Sequence, residues 1–352
     1  MPETVEAEAP GRVNLIGEHT DYHQGFVLPA VIPQRTRVRV TPRADRRVRA
    51  WSSRAGRDWQ EYEAGHERAG RGWLDYVQGV TAVLARRGAT VPGFDAHVES
   101  DVPVGAGVSS SAALTVALLR ALRVLMRLSL SDLALAEVAH LAETDFVGAP
   151  VGIMDPLAVS LGRDGEALLI DTRTLAIRRL PIPPAVELVV IDSGLTHQHA
   201  DGGYAIRRQE SFEAAACLGV SHLRDVDAGA MARIDALPDV LARRARHVVS
   251  ENQRVLSAAK ALSAGDVERL AALFAESHAS MRDDYEISTW EIDALVDICK
   301  RDDDMLGARL TGGGFGGAVV MLAKAGTART AARRIKEEYI ARTGRPGVVL
   351  IP

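Results

Sequence analysis

A glycine-rich loop set between an alternating segment and a long apolar run constrains this chain more than any other feature. Phe94, Ala96 and Val98 recur at the two-residue period of a strand. Pro103-Val104-Gly105-Ala106-Gly107-Val108-Ser109-Ser110-Ser111 follows, leading directly into Ala112–Leu130. Arg120, Arg123 and Arg127 cross that run on one helical stripe, which makes it an amphipathic helix and not a membrane span. Glycines let backbone N–H groups approach an anion closely, and a helix N-terminus adds positive dipole. Serine hydroxyls can donate to phosphate or ligate Mg²⁺. The plainer alternative is a flexible loop with a serine N-cap. The chain's lysines are Lys260, Lys300, Lys324 and Lys336, so there is no GxxxxGK[ST] phosphate loop.

Around this segment the order of elements is mixed. Arg35–Val40 alternates, and Arg47–Ser53 reads as its partner strand. The helix after the loop is expected to run to about Met126, with a second one N-capped by Ser131 and ending near Phe146. Ala167–Asp171 and Glu187–Asp192 read as buried strands, separated by Pro181-Ile182-Pro183-Pro184, the expected boundary between halves. From Tyr204 to about Lys300 the pattern is mainly helical. A strand, the loop Thr311–Gly317, the strand Ala318–Ala323, a helix near Ala328–Arg342 and a last strand Gly347–Ile351 complete the chain. Such an order predicts an α+β fold instead of a doubly wound sheet, and 352 residues suggest two domains.

Composition narrows the function. With 47% hydrophobic and 25% charged residues the chain is that of a folded soluble protein. A net charge of −4 argues against a dedicated nucleic-acid binder. Cys217 and Cys299 form neither a disulfide framework nor a zinc pattern and fit a reducing cytoplasm. The acidic Met1–Ala9 is not a signal peptide.

Four further segments carry groups capable of chemistry. Pro10–Tyr22 packs Arg12, Asn14, Glu18, His19 and Asp21 around a glycine, the residue types that grip neutral hydroxyls; a solvated turn is the alternative. Thr311–Gly317 holds five glycines and is followed by a strand, so it is a close-approach loop or a tight hairpin and not a dinucleotide fingerprint. Gly152-Ile153-Met154-Asp155 precedes Pro156 and reads either as a reactive carboxylate or as a helix N-cap. Glu143 ends an amphipathic helix. His66, His97, His140, His222, His247 and His278 are scattered without metal-ligand spacing and read as structural, while His197 and His199 are candidates to border a site near Tyr204.

Taken in order, the three glycine-bearing motifs resemble those of the GHMP kinases, and Gly11–Tyr22 (GRVNLIGEHTDY) is similar to the signature of the galactose-phosphorylating branch. Val108–Leu114, Gly152–Asp155, Tyr204–Glu210, Ser277–Asp293 and Gly312–Gly317 extend the likeness over almost the whole chain. With nine residues ahead of Pro10 the N-terminus is short, and a leader segment is expected to be missing.

The resemblance implies a two-domain α+β GHMP kinase fold. Residues 1–182, with an N-terminal half like ribosomal protein S5 domain 2, would carry the sugar signature, phosphate loop and catalytic Asp. Residues 183–352 would form the C-terminal α+β half with the loop Gly312–Gly317. The implied activity is ATP- and Mg²⁺-dependent phosphorylation of the anomeric hydroxyl of α-D-galactose, the entry step of the Leloir pathway. It would be carried out by a cytoplasmic monomer that acts on small molecules and on neither nucleic acid nor membrane. Asp155 would be the catalytic base and Arg12 its charge-stabilising partner. Glu18, His19, Thr20, Asp21, Gly152 and Tyr204 would bind the sugar. Gly105, Ala106, Gly107, Val108, Ser109, Ser110 and Ser111 would cradle the phosphates, Ser52 and Trp73 would line the nucleotide pocket, and Ser111 and Glu143 would hold the metal. Two positions depart from the family pattern: Pro156 stands where Gln is usual and His23 where Asn is common. The rival readings are a sugar 1-kinase for N-acetylgalactosamine or arabinose, and an inactive galactose sensor. A sensor lacks the Ser-Ala step, present here as Ser111-Ala112.

Overall fold

Period-2 and period-3.6 segments alternate irregularly along the chain, and the computed structural model realises them as twelve strands and ten α-helices among the residues it describes, 3–56, 58–195, 200–227 and 229–351. The strands β1 (Val5–Asn14), β2 (Phe26–Val27), β3 (Pro29–Pro42), β4 (Arg47–Ser52) and β5 (Gln60–Glu63) come first. Then follow α1 (Leu74–Arg86), β6 (Phe94–Ser100), α2 (Ser110–Leu125), α3 (Asp132–Leu141) and α4 (Met154–Leu161). The strands β7 (Glu166–Asp171), β8 (Ala176–Pro181) and β9 (Val186–Asp192) lead to α5 (Ala200–Cys217), α6 (Met231–Asp235), α7 (Asp239–Ala264), α8 (Val267–Asp283) and α9 (Trp290–Cys299). The chain closes with β10 (Met305–Thr311), β11 (Ala318–Lys324), α10 (Ala328–Thr343) and β12 (Val348–Ile351).

Contacts divide the chain into two compact units. One takes residues up to Arg12, Val31–Val104 and Ser109–Gly162; the other takes Val13–Ala30, Gly105–Val108 and the chain from Arg163 onward. The division follows Gly162, at the end of α4, and not the Pro181–Pro184 turn that the sequence suggested for halves at 1–182 and 183–352. The reason lies in strand pairing. In the second unit β7 pairs with both β2 and β8, and α7 packs on β2 and β8.

In the first unit β6 lies between β3 and β4, antiparallel to β3 from Thr36↔Ser100 to Pro42↔Phe94 and parallel to β4 from Val48↔Phe94 to Ser52↔Val98. Arg47–Ser52 is therefore a strand, as its pattern says, but its partners are β6 and β5. The parallel pairing requires a long crossover, and β5 with α1 supplies it. Inward residues Val38, Val40, Val48, Ala50, Phe94, Ala96 and Val98 form one core with Val77 and Val80 of α1, Val116 and Leu119 of α2, and Leu135 and Val138 of α3. Ser131 caps α3 by accepting from the Ala134 N–H, as expected. α3 stops at Leu141, and a π-helical turn, Ala142–Val147, carries Glu143.

In the second unit β10-β11-β9-β12 form an antiparallel sheet. Its Val189, Ile191, Leu310, Val319 and Met321 pack with helical residues such as Val248, Leu295 and Ile335. The apolar run at α2 does not resemble a membrane span: Arg120 donates to the Glu8 and Ser160 carbonyls, and Arg123 pairs with Asp132. Among the described residues no helix is long and apolar enough to cross a membrane.

Candidate active site

In the first unit, β1 carries Arg12 to Asp155. The guanidinium grips the carboxylate as a fork, with Nε donating to Oδ1 at 2.7 Å and Nη2 donating to Oδ2 at 2.6 Å. Ser109 adds a third donor, its Oγ lying 2.5 Å from Oδ2. Asp155 is not an N-cap. α4 begins at Met154 with Ile153 as its cap, so Asp155 lies inside the first turn, where helix N–H groups favour negative charge. Gly152 lies in the loop just ahead of that turn.

The loop before α2 departs from an ordinary capped helix. Gly105 and Gly107 adopt φ of +79° and +71°, and Ser109, the N-cap residue, adopts φ +61°. Its side chain makes no cap hydrogen bond. The first-turn N–H groups of α2 thus lack the usual side-chain acceptor, which suits a helix N-terminus that faces an anion.

Ser111, in the first turn of α2, stands near enough to Glu143 for its hydroxyl to favour the charged form of that carboxyl. Glu143 is buried, and its Oε1 has no hydrogen-bond partner. Burial, with the nearby Asp155 charge adding to it, pushes its carboxyl up to about 8. An orphaned buried carboxylate oxygen beside a serine hydroxyl is the donor set a hard cation takes. Mg²⁺ prefers one or two protein oxygens together with substrate phosphates and water. The residues present therefore fit the metal.

In the second unit, the segment after β1 is not a solvated turn. Glu18, His19 and Thr20 are buried. Gly17 has φ +110°, and a Cβ there would lie 2.8 Å from the Phe26 carbonyl oxygen, so glycine is required. Thr20 Oγ1 closes the turn on the Gly17 and Phe26 carbonyls.

Glu18 is paired with Arg309, and its Oε1 accepts from Gly312 N at 3.1 Å. Burial pushes the Glu18 carboxyl up, against the pull of Arg309. His19 Nε2 lies 3.1 Å from the Gly313 carbonyl, which only accepts, so Nε2 carries the proton. Nδ1 then accepts from the Tyr22 hydroxyl at 2.8 Å, and Tyr22 in turn meets the Tyr285 hydroxyl at 2.8 Å. Burial, with His247 adding to it, holds His19 down at about 3, so the ring is neutral.

Glu18 and His19 thus hold the glycine loop by its backbone. That loop joins β10 to β11, and it is both of the things its sequence allowed, a hairpin connection and a close approach. A Cβ at Gly312 would stand 2.9 Å from the Gly107 carbonyl oxygen, and one at Gly313 would stand 3.2 Å from the Tyr204 ring. Tyr204, on α5, lies 5.0 Å from His19 between ring centroids. Asp21 is partly exposed, its Oδ1 accepting from Tyr22 N–H.

Sequence reasoning missed the support beneath these residues. Arg309 is fully buried and also donates to the Asn14 and Leu15 carbonyls. Glu251 on α7 accepts from Gly17 N and from Ser277 Oγ. Burial would raise its carboxyl, but Arg254 and Arg309 outweigh that and hold it at about 2. His247, read as structural, is so: its Nε2 reaches the Glu18 carbonyl and its Nδ1 the Ser280 hydroxyl. His23 is equally enclosed, accepting from Leu223 N and meeting Ser211 Oγ at 2.8 Å. A lone arginine in strand β10 and a lone glutamate on the long helix α7 carried no motif that marked Arg309 or Glu251.

Two expectations gain no such contacts. Ser52 Oγ accepts from the Arg54 N–H, and Trp73 packs on the first unit's core with its indole N–H unpartnered; neither is hydrogen-bonded to Gly105–Ser111 among the described residues. His197 and His199 lie outside the described residues.

Comparisons with known proteins agree with this architecture. The GHMP kinases N terminal domain matches residues 75–163, and the GHMP kinases C terminal domain matches 258–341. The structure of the Methanococcus jannaschii mevalonate kinase, 16% identical, shares the fold with a TM-score of 0.72, over 99% of this chain and 98% of that one. Fold and family domains define a GHMP-type kinase. The galactokinase galactose-binding signature matches residues 2–42. A galactokinase from Roseiflexus sp. is 44% identical over 99% of this chain and 90% of its own length. The Lactococcus lactis galactokinase, whose structure was determined with galactose, superposes with a TM-score of 0.93 at 30% identity, covering 99% of this chain and 93% of that one. The chain belongs to the galactokinase family.

Proposed function

We propose that the chain transfers the γ-phosphoryl group of ATP to the anomeric hydroxyl of α-D-galactose, giving α-D-galactose 1-phosphate and ADP. The observation that carries the mechanism is the Asp155 carboxylate, held by the Arg12 fork and by Ser109 at the head of an uncapped helix. Phosphoryl transfer asks a protein chiefly for positioning and charge stabilisation. Asp155 accepts the hydroxyl proton as the sugar oxygen bonds to phosphorus and ADP leaves. General-base action of this kind contributes roughly 10²–10⁴-fold. Arg12 supplies a cation that does not deprotonate.

Gly105–Ser111 receive the phosphates through backbone N–H groups and the α2 N-terminus. Ser111 and Glu143 would hold Mg²⁺, which when bound neutralises phosphate charge. Ser52 and Trp73 are assigned to the nucleotide side, and the unpartnered Trp73 indole N–H is consistent with a ligand acceptor. Asp21 and Tyr204 offer partly exposed polar groups to the sugar, with Gly152 beside them in role. Thr20 fixes the turn that presents Asp21, and Glu18 and His19 serve the sugar site through the glycine loop they hold. The free thiols of Cys217 and Cys299 fit a reducing cytoplasm, and we read the chain there as a monomer acting on small molecules.

The test is ADP release over a panel of galactose, glucose, N-acetylgalactosamine and arabinose, with NMR to locate the phosphate. Galactose is expected to be strongly preferred to glucose, because a site built to hydrogen-bond one C4 epimer leaves a buried polar group unpaired with the other. Asp21→Ala is expected to erode that preference. ADP release independent of added sugar would overturn the reading.

A further inference from the structure

We infer that Ser109 is a positioning residue for phosphoryl transfer: its hydroxyl is withheld from capping α2 and donates instead to Asp155, setting the carboxylate in place. This rests on the reading of Asp155 as the base. The contrast with the chain's own working caps makes the case. Ser131, Asp266 and Thr289 begin α3, α8 and α9, and the side chain of each accepts from a backbone N–H three residues on. Ser131 does so from the extended conformation, φ −70° and ψ 163°, that N-cap residues favour.

Ser109 occupies the same position on α2 in the left-handed region, φ 61° and ψ 49°, without a cap bond. L-residues other than glycine seldom adopt that region, and it recurs where function holds backbone under strain. Here it accompanies a side chain that reaches Asp155 Oδ2 at 2.5 Å. Ser109 is also nearly fully buried, so water does not readily replace the hydroxyl. Arg12 holds the same carboxylate from β1. The base is thus anchored from a strand and from the phosphate loop at once, so that ordering the loop around phosphate also orders the base. A residue that only bound phosphate would have no need of this donor geometry.

The experiment compares full-length Ser109→Ala, Ser109→Gly and Asp155→Asn, singly and combined, by steady-state kinetics, calorimetric ATP affinity and thermal melting. Both Ser109 variants are expected to lose at least about tenfold in kcat with KM for ATP changed by less than about threefold, the pattern of an interaction that matters in the transition state. Glycine adopts the required φ freely, so a loss shared by Gly and Ala belongs to the hydroxyl and not to the backbone. In the Asp155→Asn background, removing the hydroxyl is expected to change kcat by less than about twofold, because residues that act as a unit are not additive. Weakened ATP binding with kcat retained would make Ser109 a phosphate ligand and overturn the proposal, as would additive losses in the double variant. Normal kcat in both Ser109 variants beside an inactive Asp155→Asn would sink this proposal alone. Near-normal turnover of Asp155→Asn would sink the base assignment itself.

Discussion

Arg12 reaches Asp155 with two adjacent nitrogens of one planar guanidinium, a geometry a lysine ammonium cannot reproduce. Arg12→Lys is therefore expected to lower kcat by at least about tenfold although the charge is kept. Steady-state kinetics beside a thermal melt would check it, and full activity would show that a point charge suffices. Asp155→Asn is expected to keep sugar and ATP affinity while losing at least about 10²-fold in turnover. Calorimetry with rate measurements separates the two quantities. At this scale the residue types were legible, because Arg12, Asp155 and Ser109 all stand in dense motifs. What was not legible was that Ser109 spends its hydroxyl on Asp155, a contact across 46 positions.

Elements decide how such residues are held. Pro156 lies in the first turn of α4, where N–H groups lack intrahelical partners, so its missing donor costs little. Pro156→Gln is expected to leave catalysis within about tenfold and to lower stability by no more than about 1 kcal/mol. A denaturant melt beside galactose kinetics measures both, and a large switch in sugar preference would show instead that Pro156 shapes the sugar site. The join between the turn after β1 and the β10–β11 loop is more sensitive. Arg309→Met would leave Glu18 and Glu251 buried without their shared cation, and breaking a buried pair in this way costs about 3–5 kcal/mol. The urea midpoint is expected to fall accordingly; an unchanged midpoint would mean that the pairs made by Arg309 contribute nothing net to stability.

The molecule as a whole should be acid-sensitive. Burial holds His19 and His23 at about 3 and His247 at about 4, and also lowers His140 and His278. In the unfolded chain each takes up a proton near 6.5, so between these values the unfolded state binds more protons and stability falls as pH drops. Each such group contributes a slope of up to about 1.4 kcal/mol per pH unit. Glu143, pushed up to about 8, works in the opposite sense, as does Glu18, but five histidines face these two carboxyls. Glu251, held at about 2, adds to the acid loss below its ordinary range. The urea midpoint is expected to fall steadily from pH 7 to pH 5, and His23→Asn to flatten that fall. A midpoint independent of pH would contradict the buried, neutral histidines.

The local sequence determined much by itself. Period-2 alternation marked β3 and β6, short apolar runs marked β7 and β9, Arg47–Ser53 was legible as the strand β4, the amphipathic stripe specified α2, and Ser131 marked the start of α3. The motif from Pro10 to Tyr22, with the two glycine loops, identified the family. These are short-range signals, in which propensity, caps and spacing lie within one turn or one strand. β1 escaped notice because Pro10-Gly11 reads as a turn, although the strand runs through it from Val5 to Asn14. Tertiary structure alone decided that β6 would come between β3 and β4, that the compact units would divide after Gly162, and that Glu18 would bury its charge on Arg309. Strand order, burial and ion pairing between residues 291 positions apart depend on which surfaces meet once the chain collapses. No local pattern encodes the partner that a buried charge will find there.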